Sequence, residues 1–202
     1  MRTIIYLHGF RSSSASTKAT QLAAFVAGLP PAQRPALIIP DLPDRPAHAI
    51  ETIAARVAAS GGGERVCFVG SSLGGFYATV AAERHGGRAV LVNPAVRPDE
   101  ALRAHAGVQL NLHTGAAFEV TATHFDELRA MRVPRITCAA RYWLLVETGD
   151  EVLDYREAVA FYAGAQQFVQ GGGDHAYRGF AAQLPAILRF AGVPAIGIVH
   201  RT

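Results

Sequence analysis

The sequence contains few cysteines and a single lysine, Lys18, and it has no long apolar run. Its two cysteines, Cys67 and Cys138, cannot build a disulfide framework, so we expect a reducing compartment and a cytoplasmic protein. The first apolar run, Thr3–Leu7, is too short for the core of a signal peptide or for a membrane span. We therefore expect no membrane partner.

The sequence also lacks a large excess of charge of one sign. It contains 19 basic and 16 acidic residues, and the arginines are spread along the chain. A protein that binds nucleic acid through charge would carry a basic patch or run, so we expect no nucleic-acid partner. The 202 residues, half of them hydrophobic, are enough to bury one core. We expect a single domain over residues 1–202.

Six short apolar runs are present, and most are continuous rather than alternating. Helical stretches separate them, which predicts a mostly parallel sheet of about six strands covered on both faces, a doubly wound α/β fold. The predicted strands are Thr3–Leu7, Ala36–Ile39, Val66–Val69, Ala89–Val92, Tyr142–Val146 and Gln167–Val169. The predicted helices are Lys18–Ala27, Ala47–Ser60, Leu73–His85, Tyr155–Ala163 and Phe180–Ala191.

The regular alternation stops after the fourth predicted strand. Residues 94–140 mix polar and apolar residues with proline and glycine, which predicts a short insertion over the sheet. It is either a small lid that shapes a substrate pocket or an ordinary connection with one or two helices. The last segment, residues 192–202, carries no motif, and its role stays undetermined.

The most informative motif is Gly70-Ser71-Ser72-Leu73-Gly74, which follows an apolar strand and precedes a helix. In a nucleophile elbow the serine occupies a strained turn, and small residues on both sides let the strand and the helix approach closely. We therefore interpret Ser72 as a nucleophile, with Gly70 and Gly74 as the elbow glycines. The alternative is an ordinary serine cap at the start of a helix.

A nucleophilic serine needs a base and an acid that orients the base. His175 is the candidate base, because it lies on a glycine-rich loop after the last predicted strand. Asp150 is the candidate acid, because it follows the fifth strand directly, although Glu151 and Asp154 lie close by and Asp154 could instead cap the next helix. The chain order serine, aspartate, histidine is that of an α/β-hydrolase fold.

Two backbone N–H groups are expected to form an oxyanion hole, those of Phe10 and Leu73. His8 precedes Phe10 directly after the first strand, and we expect it to hold that loop through hydrogen bonds. Ser71 is out of phase with the glycines, and we expect it beside the site. No pair of the remaining histidines has a metal-ligand spacing, so we expect neither a metal nor a cofactor.

These motifs resemble the small bacterial YqiA-like esterases over nearly the whole chain. Five blocks carry the resemblance: residues 6–13 (YLHGFRSS), 70–78 (GSSLGGFYA), 92–98 (VNPAVRP), 148–155 (TGDEVLDY) and 172–175 (GGDH). The resemblance implies an α/β-hydrolase fold of minimal size, hydrolysis of carboxylic esters or thioesters, including acyl-CoA thioesters, and the same catalytic triad. It also implies that Asn93, Pro94 and Arg97 lie near the pocket.

The sequence thus predicts a serine esterase that hydrolyses small-molecule esters or acyl-chain esters through an acyl-enzyme. The alternatives are an acyl-CoA thioesterase, a peptidase on the same machinery, or a non-catalytic binding protein with a hydrolase fold. The sequence sets neither the acyl-chain length nor the oligomeric state.

Overall fold

The computed structural model describes residues 2–193, which contain eight strands and seven α-helices. The strands are β1 (Thr3–Leu7), β2 (Ala36–Ile38), β3 (Val66–Ser71), β4 (Arg88–Val92), β5 (Gly107–Leu110), β6 (Ala117–Val120), β7 (Tyr142–Glu147) and β8 (Gln166–Gln170). The helices are α1 (Thr17–Ala27), α2 (Pro46–Ala59), α3 (Leu73–His85), α4 (Pro98–Ala101), α5 (Ala122–Ala130), α6 (Tyr155–Phe161) and α7 (Phe180–Phe190).

Six of these strands form one parallel sheet in the order β2-β1-β3-β4-β7-β8. The sequence prediction of six parallel strands is confirmed, and each strand end lies within two residues of its predicted position. Helices α1 and α7 pack on one face of the sheet, and α2, α3, α5 and α6 pack on the other. The protein is therefore a three-layer doubly wound structure.

The continuous apolar runs have a simple structural cause. In β1, Ile5 and Leu7 join the core beneath α2 and α3, whereas Ile4 and Tyr6 join the core beneath α1 and α7. Successive side chains of a strand point to opposite faces, so a strand between two helical layers must be apolar at every position. Strands β3, β4 and β7 follow the same pattern.

The segment that the sequence analysis interprets as an insertion, residues 94–140, lies between β4 and β7. It contains α4, α5 and an antiparallel hairpin of β5 and β6, in which Gly107 pairs with Val120 and Leu110 with Ala117. These two strands were not predicted from the sequence. The hairpin is separate from the main sheet and lies next to the candidate site.

Most of the C-terminal segment that the sequence left undetermined, residues 194–202, lies outside the described residues. Within residues 2–193, no helix combines the length and the apolar character that crossing a membrane requires.

The order of the strands fixes where a site can form. From β1 the chain first adds β2 on one side, and it then adds β3, β4, β7 and β8 on the other side. Open α/β sheets bind ligands at the carboxyl ends of their strands, at the point where the order reverses. That point lies between β1 and β3, so the segments that follow Leu7 and Ser71 meet there.

Candidate active site

Ser72 occupies the tight turn between β3 and α3. Its backbone has φ 56° and ψ −122°, a left-handed conformation that is strained for a residue with a side chain. The turn is compact, because a Cβ atom on Gly70 would lie 2.2 Å from the carbonyl oxygen of Gly74, and one on Gly74 would lie 2.0 Å from that of Leu7. Only glycine fits at either position, as the elbow motif requires.

The Ser72 side chain does not cap α3. Instead its Oγ lies 3.1 Å from Nε2 of His175, and Nδ1 of the same ring lies 2.8 Å from Oδ2 of Asp150 and 3.0 Å from Oδ1. The carboxylate only accepts, so Nδ1 carries the proton and Nε2 is free to accept the Ser72 hydroxyl proton. The structure thus brings together three residues that are far apart in the sequence.

Asp150 is held in its ionised form. Burial alone would raise its pKa, but hydrogen bonds from His175 and from the backbone N–H groups of Leu153 and Val152 outweigh burial and lower the pKa below its usual value. Its side chain is 2% exposed. An ionised, buried carboxylate stabilises positive charge on the neighbouring imidazole.

The two competing carboxylates have other contacts. Asp154 caps α6 by accepting from the backbone N–H of Arg156. Glu151 accepts the backbone N–H of His175 at 3.0 Å, which restrains the histidine from its main chain rather than from its ring. Among the three neighbouring acids, only Asp150 contacts the His175 imidazole.

The loop after β1 passes close to Ser72. A Cβ atom on Gly9 would lie 3.2 Å from Cβ of Ser72, so the backbone there approaches the serine directly. The N–H groups of Phe10 and Leu73 have no hydrogen-bond acceptor within residues 2–193. Both groups are therefore available to a substrate oxygen beside Ser72.

His8 connects this loop to the segment after β2 through a hydrogen bond. Its Nε2 accepts the backbone N–H of Leu42 at 3.0 Å, and its Nδ1 lies 3.0 Å from the carbonyl oxygen of Gly9. Since Nε2 accepts, Nδ1 must donate, which makes the ring neutral. Burial lowers the pKa of His8 and favours this neutral form.

Asn93 forms hydrogen bonds with the loop that carries His175, the histidine loop. It is 2% exposed, and its Nδ2 donates to the carbonyl oxygens of Asp174 at 3.0 Å and His175 at 3.3 Å. Its Oδ1 accepts the backbone N–H of Glu147 at 3.0 Å. One side chain thereby links the ends of β4 and β7 to the loop that carries His175.

Glu147 is a residue of the site that was not predicted from the sequence. This buried residue ends β7, and its carboxylate accepts the backbone N–H of Asp174 at 2.9 Å. It gives the histidine loop a second anchor beside Asn93. A charged residue at the end of an otherwise apolar strand was the available signal.

The hairpin of β5 and β6 holds the loop after β1 on its other side. The ring of Phe118 meets that of Phe10 edge to face, with 5.7 Å between the ring centroids. Arg11 donates to the carbonyl oxygen of Leu110, and its own carbonyl oxygen accepts the N–H of Leu112. The conformation of the candidate oxyanion loop therefore depends on the insertion.

Two cavities lie on either side of this loop. The first, about 270 Å³, is the Phe118 cavity, and its apolar walls include Leu42, Leu73, Tyr77 and Phe118. The second, about 460 Å³, is the Lys18 cavity. It contains Ser72 and His175, with Ser71 and three cationic side chains in its walls: Arg11, Lys18 and Arg178.

Arg97 does not line either cavity. Its guanidinium forms ion pairs with Glu157, at 2.5 Å, and with Glu100, and the side chain is about half exposed. Arg97 thus connects the start of α4 to α6, and the expectation that it lies near the pocket is not met. Within residues 2–193, no group of three or more His, Cys, Asp or Glu residues is arranged to hold a metal ion.

Comparison with known families identifies a relationship over almost the whole chain. The family model of the uncharacterised protein family UPF0227 matches residues 3–192. This is the YqiA family that the five sequence blocks resemble, so that prediction is confirmed.

Several solved structures are similar to this fold. A putative hydrolase from Agrobacterium vitis S4 is 18% identical, with a TM-score of 0.70 over 94% of this chain and 87% of that one. Est1E from Butyrivibrio proteoclasticus, solved with ferulic acid bound, is 17% identical, with a TM-score of 0.65 over 94% and 88%. A monoacylglycerol lipase from Paleococcus ferrophilus is 13% identical, with a TM-score of 0.67 over 94% and 93%. These likenesses confirm the predicted α/β-hydrolase fold.

Proposed function

The chain belongs to the uncharacterised protein family UPF0227, and we propose that it is a serine esterase that hydrolyses carboxylic esters through an acyl-enzyme. The observation that carries this proposal is the continuous hydrogen-bonded chain from Asp150 through His175 to Ser72. A serine at a strained elbow, next to an imidazole whose tautomer is fixed, is the arrangement that activates a hydroxyl for attack.

In the first half of the reaction, Ser72 Oγ attacks the ester carbonyl carbon while His175 Nε2 removes its proton. The carbonyl oxygen becomes negative and accepts from the N–H groups of Phe10 and Leu73. Asp150 stabilises the imidazolium. His175 then protonates the leaving alkoxide, and the alcohol departs from an acyl-Ser72.

In the second half, a water molecule takes the place of the alcohol. His175 removes a proton from this water, and the hydroxide attacks the acyl carbonyl. The oxyanion again accepts from Phe10 and Leu73. The tetrahedral species collapses to the carboxylic acid, and Ser72 recovers its proton from His175.

The proposal predicts that Ser72→Ala lowers kcat on a short-chain ester such as 4-nitrophenyl butyrate by a factor on the order of 10⁴ to 10⁶. The control is Ser60→Ala, which removes a hydroxyl at the end of α2, away from both cavities. Melting temperatures of both variants would show that the fold is retained. A folded Ser72→Ala protein with most of the original activity would contradict the proposal.

The same machinery could act on thioesters, since His175 can serve a thiolate leaving group as it serves an alkoxide. Comparing kcat/KM on an oxygen ester and a thioester with the same acyl group decides between the esterase and the thioesterase.

A further inference from the structure

The Lys18 cavity has cationic side chains in its walls, next to the candidate nucleophile. Arg11, Lys18 and Arg178 line it together with Ser72 and His175, and no carboxylate belongs to its walls within the described residues. Arg178 is paired with Asp174, and Arg11 donates to the carbonyl oxygen of Leu110. Among the described side chains, Lys18 thus supplies the unpaired positive charge of these walls, which attracts ligands of the opposite sign. The cavity therefore suits a ligand that carries negative charge close to the reacting ester.

Lys18 is the best placed of the three cations. It lies on the first turn of α1, and it forms neither an ion pair within 4.0 Å nor a side-chain hydrogen bond to any described residue. Burial lowers its pKa, while the carboxylates of Asp174, Glu147 and Asp150 act in the opposite direction. A partly buried ammonium with three free donors is costly unless something accepts from it.

Each nearby carboxylate already accepts at least one hydrogen bond, and Oδ1 of Asp174 is the buried oxygen among them that has no partner within residues 2–193. Asp150 is bound by His175, and Asp174 Oδ2 accepts from Nε of Arg178 at 2.7 Å. Glu147 accepts the backbone N–H of Asp174. None of these carboxylates lies within ion-pair distance of the Lys18 ammonium, so its donors remain available to a ligand.

A second observation supports a polar ligand in this cavity. Tyr177, which also lines it, is 1% exposed, and its hydroxyl has no hydrogen-bond partner in the part of the chain that the structure describes. Buried hydroxyls are nearly always hydrogen-bonded, so this unpaired hydroxyl beside the cavity favours a polar ligand there.

The position of the Lys18 cavity relative to His175 indicates which part of the substrate binds there. His175 delivers a proton to the leaving alcohol, so the leaving group lies on the side of the imidazole, and His175 lines the Lys18 cavity. The Phe118 cavity, on the other side of the oxyanion loop, contains neither Ser72 nor His175. Its walls contain polar side chains such as Asp44 and Asn111, and the apolar part around Leu73 and Phe118 suits the acyl group.

We propose that Lys18 binds a carboxylate or phosphate group on the leaving alcohol, so that the preferred substrates are esters of an apolar acid with an anionic alcohol. This inference rests on the serine esterase function proposed above. The ammonium acts as a point charge that accepts either anion. Lys18 is thus a residue that determines specificity.

The test compares 4-carboxybenzyl butyrate with 4-carbamoylbenzyl butyrate, which have the same acyl group and nearly the same shape. We expect kcat/KM of the wild type to favour the carboxylate ester by about 10- to 100-fold, the range for a hydrogen bond to a charged group. In Lys18→Met this ratio should fall to about one. Arg56→Met removes one exposed positive charge from α2 and should keep the wild-type ratio.

An inhibition experiment covers the case in which Lys18→Met does not fold. 4-(Hydroxymethyl)benzoate and 4-(hydroxymethyl)phenyl phosphate should compete with the neutral ester in the wild type, and 4-(hydroxymethyl)benzamide should not. The stronger of the two anions identifies the preferred group, and Lys18→Gln should weaken its inhibition.

The outcomes separate the two proposals. If the wild type hydrolyses both esters with equal kcat/KM, or if the ratio survives in a folded Lys18 variant, the anionic-substrate inference is wrong and the esterase function stands. If neither anion inhibits, the inference is wrong as well. If the wild type hydrolyses 4-nitrophenyl butyrate but neither benzyl ester, the inference is wrong and the esterase function stands. If it hydrolyses none of the three esters, both proposals fail.

Discussion

At the scale of single residues, the site depends on which carboxylate reaches the histidine. Three acids lie within five positions, and only contacts distinguish them: Asp150 meets the imidazole, Glu151 meets the backbone of His175, and Asp154 caps α6. The sequence favoured Asp150, because an acid at a strand end lies on the same sheet edge as the nucleophile. No sequence motif predicts the contact of Glu151 with the backbone of His175.

We predict that Asp150→Asn lowers kcat by a factor on the order of 10⁴, because an amide no longer fixes the imidazole tautomer. Asp154→Asn is the matched control and should keep its activity, since asparagine caps a helix about as well as aspartate. Steady-state kinetics of both variants tests this. If Asp154→Asn were the more damaging change, Asp150 would not be the acid.

Asn93 shows what sequence alone leaves open at this scale. The family resemblance placed it near the pocket, but no motif indicates that its side chain reaches loop residues more than 80 positions away. Arg97 lies in the same sequence block, yet it pairs with Glu157 on the surface. Neighbours in a motif therefore need not share a role.

At the scale of elements, the strands of the main sheet were predictable and the hairpin was not. The sheet strands are buried on both faces, so their sequences are continuous apolar runs. In β5 the apolar side chains of Val108 and Leu110 are exposed, and Gln109 faces inward, which is the reverse of the usual pattern for a half-buried strand. The hairpin forms through contacts with the loop after β1, which local sequence does not encode.

We predict that the hairpin sets the acyl-chain preference. Phe118→Ala enlarges the Phe118 cavity, so kcat/KM for octanoate relative to butyrate esters should rise on the order of tenfold. Val108→Ala is the matched control, because Val108 lies on the same hairpin and is 73% exposed. A series of 4-nitrophenyl esters of increasing length measures the effect. An unchanged profile in a folded Phe118→Ala protein would place the acyl group elsewhere.

At the scale of the whole molecule, the topology assembles the site. The segments that follow β1, β3, β4, β7 and β8 all meet at one edge of the sheet and supply Phe10, Ser72, Asn93, Asp150 and His175 in turn. A parallel sheet places every carboxyl end on the same edge, so the sequence predicted which residues gather there. Distances, the two cavities and the surroundings of Lys18 depend on packing between distant segments, and only the structure supplies them.

The most direct test of this account is labelling of the folded wild-type protein with a fluorophosphonate probe, followed by mass spectrometry to locate the modified residue. The account predicts a single modification at Ser72, which is absent in Ser72→Ala. Ser71 is the internal control, because it is adjacent in sequence and lines the same cavity, but no histidine among residues 2–193 is hydrogen-bonded to it. No label on the folded wild type, or a label on a serine other than Ser72, would contradict the account.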